Sequence, residues 1–457
     1  MGRKLFGTDG IRGVAGEPPL DAATVFAAGV SLGRYLSGKG AAAGVILGED
    51  TRESSRWIAE TVAAGLQEAG VSSVSAGVLP TPGLACLTAS GDYAAGIMIS
   101  ASHNPYQDNG IKVFASSGYK LPDEGEWEVE RGIFEMLGTM PGDGSGVHPR
   151  RMTVEPDRTL AARYMEFLRR TAGTSWSLPG KKLVLDCAYG AASAVAREVF
   201  SGRGMELKII CDQPNGRNIN LDCGALHLGN LQRRVVEEKA DAGVAFDGDA
   251  DRAMFVTARG AVVNGDGVLL AASRFLQERN LLKGGGVVGT LMTNLGLERA
   301  LARRGLKLLR TPVGDKYVLE EMLRSGMNLG GEQSGHIIFS DLATTGDGLL
   351  TALEMLRILA ETGQTLEQAV ADLQVFPQMI QNVRVREKVP LETLPRVMEA
   401  IRSSEEQLGE RGRVAVRYSG TELLARVMVE AQTEQDVQRH TAALVRAIEE
   451  SLGSGGG

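Results

Sequence analysis

GVAFDGDADRAMFV, residues 243–256, is two short apolar runs with an acidic loop between them. Apolar runs of this length bounded by turn formers read as buried strands. The loop holds Asp247, Asp249 and Asp251, spaced by Gly248 and Ala250, which let it fold tightly. Three alternating carboxylates repel one another unless a cation sits among them, and their hard oxygen donors suit Mg2+. An EF-hand needs Gly where Arg252 stands and Glu where Ala258 stands, so that alternative fails. A merely solvated acidic turn is the other reading, and the apolar strands on both sides speak against it. Arg252, next to the trio, can orient a carboxylate or meet a phosphate.

Outward from this loop, strand and helix alternate. Residues 182–186, 207–211 and 242–246 read as strands, with helical stretches at 191–200 and 230–239 between them. Upstream, strands at 44–48, 71–76 and 94–100 surround a helix at 56–70, capped by Ser54 or Ser55, with Ile58, Val62 and Leu66 on one face. Downstream, strands beginning at Gly286 and spanning 307–311 and 336–339, with a helix at 346–361, make a third round. The C-terminal part differs, with helices at 390–410 and 434–452 and strands at 413–418 and 424–430. Residues 138–157, rich in Gly, Pro and charge, read as a surface loop, and 453–457 as a frayed tail. The expected architecture is α/β: domains at 1–153, 154–256 and 257–372 of one kind, and a smaller α+β domain at 373–457, around a central cleft. No repeat is visible residue by residue.

Composition bounds the function. A chain of 457 residues has room for three or four domains, and 43% hydrophobic with 23% charged residues lets each bury its own core. Glycine, at 59 residues, is nearly twice its ordinary share of ~7% and follows no G-X-Y period, which suggests tight loops that bring backbone close to a ligand. The net charge of -7, without blocks of like charge, argues against nucleic-acid and membrane-surface partners and for small molecules. Four cysteines without CxxC spacing suggest neither a disulfide framework nor a zinc site and fit a reducing cytoplasm. The residues after Met1 lack the apolar stretch of a signal peptide, and no run approaches the ~18 apolar residues of a membrane span. A soluble, cytoplasmic protein is expected.

Four further segments carry chemistry. In GIMISASHNP, residues 96–105, a strand runs into a polar turn, and Ser102 at its end stands where a nucleophile or phosphate carrier belongs. His103 titrates near neutrality and Lys112, in NGIK, brings positive charge; ordinary turn chemistry is the alternative. In GEQSGH, residues 331–336, Glu332, Gln333 and Ser334 offer donors and acceptors suited to sugar hydroxyl or amino groups, or form a polar loop and no more. In RYSGTE, residues 417–422, followed by Arg426, two arginines and two hydroxyls around Gly420 can cradle a phosphate dianion, or make a salt-bridged turn. FGTDGIRG, residues 6–13, is glycine-rich and holds Arg12.

Together, in this order and across essentially the whole chain, the five segments resemble the α-D-phosphohexomutase superfamily. The resemblance implies four domains around a cleft and an isomerase that moves a phosphoryl group within a hexose phosphate. It implies that Ser102 is the phosphoserine and that Asp247, Asp249, Asp251 and a phosphoserine oxygen hold one Mg2+. Glu332 and Ser334 are then the sugar-recognition pair, with Gln333 the residue associated with glucosamine substrates and His336 in the same loop. Arg417, Ser419, Gly420, Thr421 and Arg426 would clamp the phosphate that is not being transferred, and Arg12, His103, Lys112 and Arg252 lie near the one that is, Lys112 as proton shuttle. The implied reaction interconverts glucosamine 6-phosphate and glucosamine 1-phosphate through glucosamine 1,6-bisphosphate, feeding UDP-N-acetylglucosamine and cell-wall synthesis. Its implied partner is a phosphosugar, with no nucleic acid and no membrane, and a homodimer is the assembly to test. A glucose- or mannose-specific mutase and a non-catalytic sugar-phosphate binder are the competing readings. Leu423 and Tyr418 stand where the family commonly has Pro and Lys, and Glu49 where it commonly has Arg.

Overall fold

Four sheets organise the chain, and the first three follow one plan. The computed structural model describes residues 5–7, 9–40, 44–139, 149–419 and 422–453. In the first sheet Val45–Glu49 lies between Ser73–Val78 and Ala95–Ile99, parallel to both, and Asp108–Ala115 returns antiparallel beside Ala95–Ile99. In the second, Lys182–Asp186 lies between Glu206–Ile210 and Ala242–Phe246, and Ala253–Thr257 returns antiparallel. The third repeats this with Gly286–Thr290 between Lys307–Thr311 and Leu329–Gly331, and Ile337–Phe339 returning. In each unit a helix, Ala22–Gly38, Arg158–Thr171 or Gly265–Glu278, precedes the first parallel strand, and helices cross between the parallel strands.

This repeat places the chemistry. The connection from third strand to antiparallel fourth carries SASHNP in the first unit, DGDADR in the second and EQSG in the third. All three loops leave the carboxyl end of a parallel strand, where open α/β sheets bind ligands. The N-terminal strand Gly10–Val14 pairs antiparallel with Asp108–Ala115, setting Arg12 opposite Gly110. Gly10 has φ +82°, and a Cβ there would meet the Ile111 carbonyl oxygen at 2.2 Å.

The fourth unit is a three-stranded antiparallel sheet with Leu424–Ala431 between Gln378–Arg384 and Gly412–Tyr418, covered by helices Pro395–Leu408 and Glu434–Leu452. It has its own core of Val383, Val397, Val427, Val429, Leu444 and Ile448. The first unit likewise has a core of its own, with Val25, Leu47, Ile58, Val62 and Ile99, but beside it Ile46 and Phe114, Phe246 and Phe255, and Phe275 and Leu353 belong to one continuous apolar cluster spanning the first three units. Helix Gly348–Thr362, apolar on nearly all faces, is the middle of it, as an all-round hydrophobic helix must be.

Some expected elements are corrected. The stretch 191–200 is a 3-10 turn, Ala191–Ala194, and a short helix, Ala196–Phe200, parted at Val195, whose backbone at φ -129° and ψ -24° is not helical. The helix expected at 390–410 begins at Pro395, which disfavours helical geometry in the residue before it. Part of the glycine excess serves helix packing rather than loops: Gly29 and Gly65 sit where two helices cross, each lacking room for a Cβ against the other's backbone. Residues 140–148 of the expected surface loop and 454–457 of the expected tail lie outside the described residues.

Asp347 caps helix Gly348–Thr362, accepting from the Leu350 N–H and from the Tyr164 hydroxyl, each at 3.0 Å. Burial pushes its pKa up to about 6, although both hydrogen bonds oppose that. An unfolded Asp titrates near ~3.9, so the folded chain binds this proton more tightly and loses stability as pH rises between those values. Asp347→Asn, which keeps the cap, is expected to gain up to about 2 kcal/mol over the parent above pH ~6 and nothing near pH ~4. Unfolding curves at the two pH values check this.

Candidate active site

Ser102 sits in the left-handed region at φ +50° and is 2% exposed. Its N–H donates to Ser100 Oγ at 2.9 Å, and Ser100 Oγ donates to Asp50 Oδ2 at 2.7 Å. Asp50 also holds Arg52 in a fully buried ion pair at 2.9 Å. Arg52 Nη2 donates to the carbonyls of Ser102 and Asn104, both at 2.9 Å, and Asn220 Nδ2 from the second unit reaches the same two oxygens. The loop is held at its backbone, so Ser102 is presented in one orientation. Its Oγ donates to Asp247 Oδ2 at 2.5 Å, and His103 Nδ1 lies 3.4 Å away. Burial, with Arg252 and Arg12 nearby, pushes the His103 pKa down to about 4, so its ring is neutral.

The acidic loop has the character its sequence promised. Carboxylate oxygens of Asp247, Asp249 and Asp251 lie within 4.8 Å of one another. Asp249 Oδ1 and Asp251 Oδ1 are buried and without a hydrogen-bond partner. Burial and the two neighbouring carboxylates push the Asp247 pKa well up, the signature of negative charge packed without its counter-ion. Oxygen donors this close, two of them orphaned, fit a hard divalent cation. Helix Gly348–Thr362 starts against the loop, its Gly348 N–H donating to the Ala250 carbonyl at 3.0 Å, so the positive end of the helix faces the acids.

A chain of alternating charge joins the three units around this point. Lys112 Nζ lies 2.9 Å from Asp249 and 3.0 Å from Asp9. Lys120 bridges Asp9 at 2.6 Å and Asp315 at 2.7 Å. His336 stands between Asp251 at 3.5 Å and Asp315 at 4.0 Å, which closes the circuit, and Arg12 pairs with Asp9. Burial works against a charged Lys112, but Asp249, Asp9 and Asp251 outweigh it and hold its pKa above the usual lysine range. Lys112 is thus held as a cation between Asp249 and Asp9. Arg252 Nε lies 3.8 Å from Asp251 and 4.0 Å from Asp247.

In the third loop Glu332 Oε1 accepts the Gly314 N–H at 3.1 Å, and Ser334 Oγ approaches Oε2 at 3.5 Å. Gln333 donates its side-chain amide to Asp266 at 3.3 Å, and its carbonyl accepts the Gly265 N–H at 3.1 Å. A Cβ on Gly265 would stand 1.9 Å from the Glu332 carbonyl oxygen. Gly265→Ala therefore has to move the loop, costing about 1–3 kcal/mol and lowering kcat/KM for the sugar phosphate by roughly tenfold or more. Steady-state kinetics on that variant check this.

The fourth unit brings Arg417 and Arg426 into register on neighbouring strands. Burial and Arg426 both pull the Arg417 pKa down, and Arg426 Nε is buried and unpartnered. Glu422, at 3.9 Å, is the carboxylate beside Arg426, and the Ser419 hydroxyl accepts the Glu422 N–H at 3.4 Å. Two guanidiniums side by side with a hydroxyl make a receptor for a dianion. Gly420 and Thr421 lie outside the described residues, as does Thr8 of the first motif. Among the described residues no hydrogen bond or ion pair joins Arg417, Ser419 or Arg426 to the three loops. Sequence reasoning missed Asp9, Asp50, Arg52, Lys120, Asn220, Asp266 and Asp315. The Asp-Thr-Arg run at 50–52, straight after a buried strand, was the one readable signal among them.

The chain matches the description "Phosphoglucomutase/phosphomannomutase, alpha/beta/alpha domain I" over residues 3–137, domain II over 162–260, domain III over 264–376 and the C-terminal domain over 381–447. It is 51% identical over 453 residues to a phosphoglucosamine mutase of Solibacter usitatus (strain Ellin6076), covering 99% of this chain and 100% of that one. It is 44% identical to a phosphoglucosamine mutase of Deinococcus radiodurans, covering 99% of each. Among solved structures, a phosphoglucomutase/phosphomannomutase family protein of Burkholderia thailandensis superposes with a TM-score of 0.79 at 23% identity, over 98% of each chain. An Aspergillus fumigatus N-acetylphosphoglucosamine mutase in complex with GlcNAc-6P and magnesium superposes with a TM-score of 0.64 at 20% identity, over 98% of this chain and 96% of that one.

Proposed function

The chain belongs to the phosphoglucomutase/phosphomannomutase family, and from that premise we propose that it interconverts glucosamine 6-phosphate and glucosamine 1-phosphate, a reading supported by relatives named phosphoglucosamine mutase. It is an isomerase that works by phosphoryl transfer. The observation that carries the residue assignment is the Ser102 hydroxyl, fixed 2.5 Å from Asp247 at the edge of a carboxylate trio with two orphaned oxygens. A protein that only binds sugar phosphates has no use for a phosphorylatable hydroxyl held there.

Asp247, Asp249, Asp251 and an oxygen on Ser102 would hold Mg2+, which when bound neutralises charge on the phosphoryl group. Phosphoryl transfer depends on position and charge neutralisation, and the remaining residues divide those tasks. Phosphorylated Ser102 gives its phosphoryl group to O1 of glucosamine 6-phosphate: the Oγ–P bond breaks and an O1–P bond forms. The proton of the O1 hydroxyl ends on Ser102 Oγ. His103, neutral and next to Oγ, can accept and return that proton, while Lys112, Arg12 and Arg252 supply fixed positive charge. The product, glucosamine 1,6-bisphosphate, turns over in the cleft and returns its 6-phosphoryl group to Ser102. Arg417, Ser419, Gly420, Thr421 and Arg426 hold whichever phosphate is not reacting. Glu332 and Ser334 face the sugar, and His336 and Gln333 hold their loop to Asp251 and Asp266. No helix among the described residues is long and apolar enough to cross a membrane, and four free thiols suit the reducing cytoplasm in which we place the enzyme.

The test is a coupled assay with Mg2+ and a trace of bisphosphate, comparing glucosamine and glucose phosphates. A kcat/KM favouring glucosamine 6-phosphate by roughly tenfold or more is expected. Preference for glucose or mannose phosphates would replace the amino-sugar assignment by the competing family activity.

A further inference from the structure

The second unit carries three thiols that the reaction does not use, and two of them, Cys211 and Cys223, lie together. Cys211 follows strand Glu206–Ile210, and Cys223 lies beyond Asn220 in the loop that returns toward the acidic motif. Their sulfurs and a carboxylate oxygen of Asp186 all lie within 4.8 Å of one another. They sit just under the surface: Cys211 keeps 9% exposure, and Leu221 beside the pair is 61% exposed. Four groups meet at Cys211 Sγ, namely the Cys223 thiol, the Tyr189 hydroxyl, the Asp186 carboxylate and Asn230 Nδ2 at 3.7 Å. Burial and Asp186 oppose the thiolate, but the hydrogen bond from Cys223, the leading cause, and that from Tyr189 bring the Cys211 pKa below the usual thiol value. Asp186 Oδ1 accepts the Ala188 N–H at 2.9 Å and Oδ2 the Gly224 N–H at 3.0 Å, which fixes the carboxylate beside the pair.

What the pair could control follows from its neighbours. Asn220, three residues before Cys223, holds the carbonyls of Ser102 and Asn104 at 2.9 and 3.1 Å. Gly224, next after Cys223, is packed so closely on the residue preceding Asp247 that a Cβ would meet the Phe246 carbonyl oxygen at 2.7 Å. We propose that Cys211 and Cys223 form a reversible disulfide that slows the enzyme by drawing this loop away from the backbone of Ser102.

The chemistry closes with a hydroperoxide as oxidant. The Cys211 thiolate attacks the peroxide oxygen, breaking the O–O bond and giving a sulfenic acid and hydroxide. Cys223 sulfur then attacks Cys211 sulfur, the S–O bond breaks, and the thiol proton leaves with the hydroxyl as water. Two thiols and one peroxide thus yield one disulfide and two waters, and a dithiol reverses the change by exchange. An S–S bond is about 2.05 Å long, so the two sulfurs must approach and carry Asn220 with them. A shift of about 1 Å near a reacting group can cost up to ~10²-fold in rate.

The experiment treats the full-length protein with hydrogen peroxide, blocks the remaining thiols and maps peptides by mass. The expected result is a Cys211–Cys223 cross-link, mutase turnover lowered roughly tenfold, and recovery of both with dithiothreitol. Cys223→Ser and Cys211→Ser should keep their rate under peroxide, while Cys86→Ser should lose it like the parent. If the serine variants do not fold, the cross-link map of the parent still decides. No cross-link, a cross-link to Cys187, an unchanged rate in cross-linked protein, or one zinc ion held by these thiols in the purified protein would each overturn the proposal. The cross-link is read without any substrate, so its outcome is independent of which sugar phosphate the enzyme prefers.

Discussion

Ser102→Ala is expected to lower turnover by about 10⁴-fold or more and to leave the protein folded. The loop's shape does not depend on the hydroxyl. Its carbonyls are held by Arg52 and Asn220 and its N–H by Ser100, so alanine inherits the same left-handed backbone. What disappears is the oxygen proposed to carry the phosphoryl group between the two ends of the sugar. Two measurements decide the point. The purified parent should show a partly phosphorylated species by intact mass, with the phosphate on Ser102, and the variant should show none. A variant that still turned over with glucosamine 1,6-bisphosphate present would remove Ser102 from the reaction.

Lys112→Met should damage both stability and rate, by separable routes. Lys112 is buried and stands between Asp249 and Asp9. Removing one partner of such an ion pair leaves buried charge without compensation and costs on the order of 3–5 kcal/mol. Lys120 and Arg12 still serve Asp9, so the exposed liability is at Asp249. Added Mg2+ should therefore recover part of the lost thermal stability. It should not recover turnover, expected to fall by roughly 10²- to 10³-fold through loss of a fixed positive charge at the transferring phosphoryl group. Thermal melts and kcat measured with and without Mg2+ distinguish the two effects. Full recovery of rate with the metal would reduce Lys112 to a structural counter-ion.

The two residues also differ in how legible they were. Ser102, the Asp trio and Glu332 announce themselves because local sequence creates their setting: a strand end, a tight acidic loop, a loop between glycines. Lys112 was readable as nearby charge, but its burial between Asp9 and Asp249 comes from the strand pairing of Gly10–Val14 with Asp108–Ala115 and from contact between units. Asp315 and Lys120 were silent for the same reason, being partners across 195 positions of chain. The strands that were expected in the three sheets lie close to their places, being apolar runs between turn formers, whereas Gly10–Val14, Asp108–Ala115 and Leu329–Gly331, which carry glycines or polar residues, were not expected. The start at Pro395 depended on local stereochemistry, and neither it nor the break at Val195 shows in apolar periodicity. The threefold recurrence was legible as a rhythm of strand and helix and not residue by residue, because it conserves the order of elements and not residue identity.

The shared apolar cluster has a mechanical consequence. Relative movement of the first three units would tear side-chain packing, so they act as one stiff frame that keeps nucleophile, carboxylates and sugar loop in fixed relation. The fourth unit meets the third through polar contacts: Asn294 with the Phe376 backbone, the Leu295 N–H with Glu430, and Arg413 with the Thr293 carbonyl. Its core is complete without them. It can swing as an intact body at the cost of a few hydrogen bonds, so a cleft that must let a bisphosphate turn round has one moving wall and three that do not give.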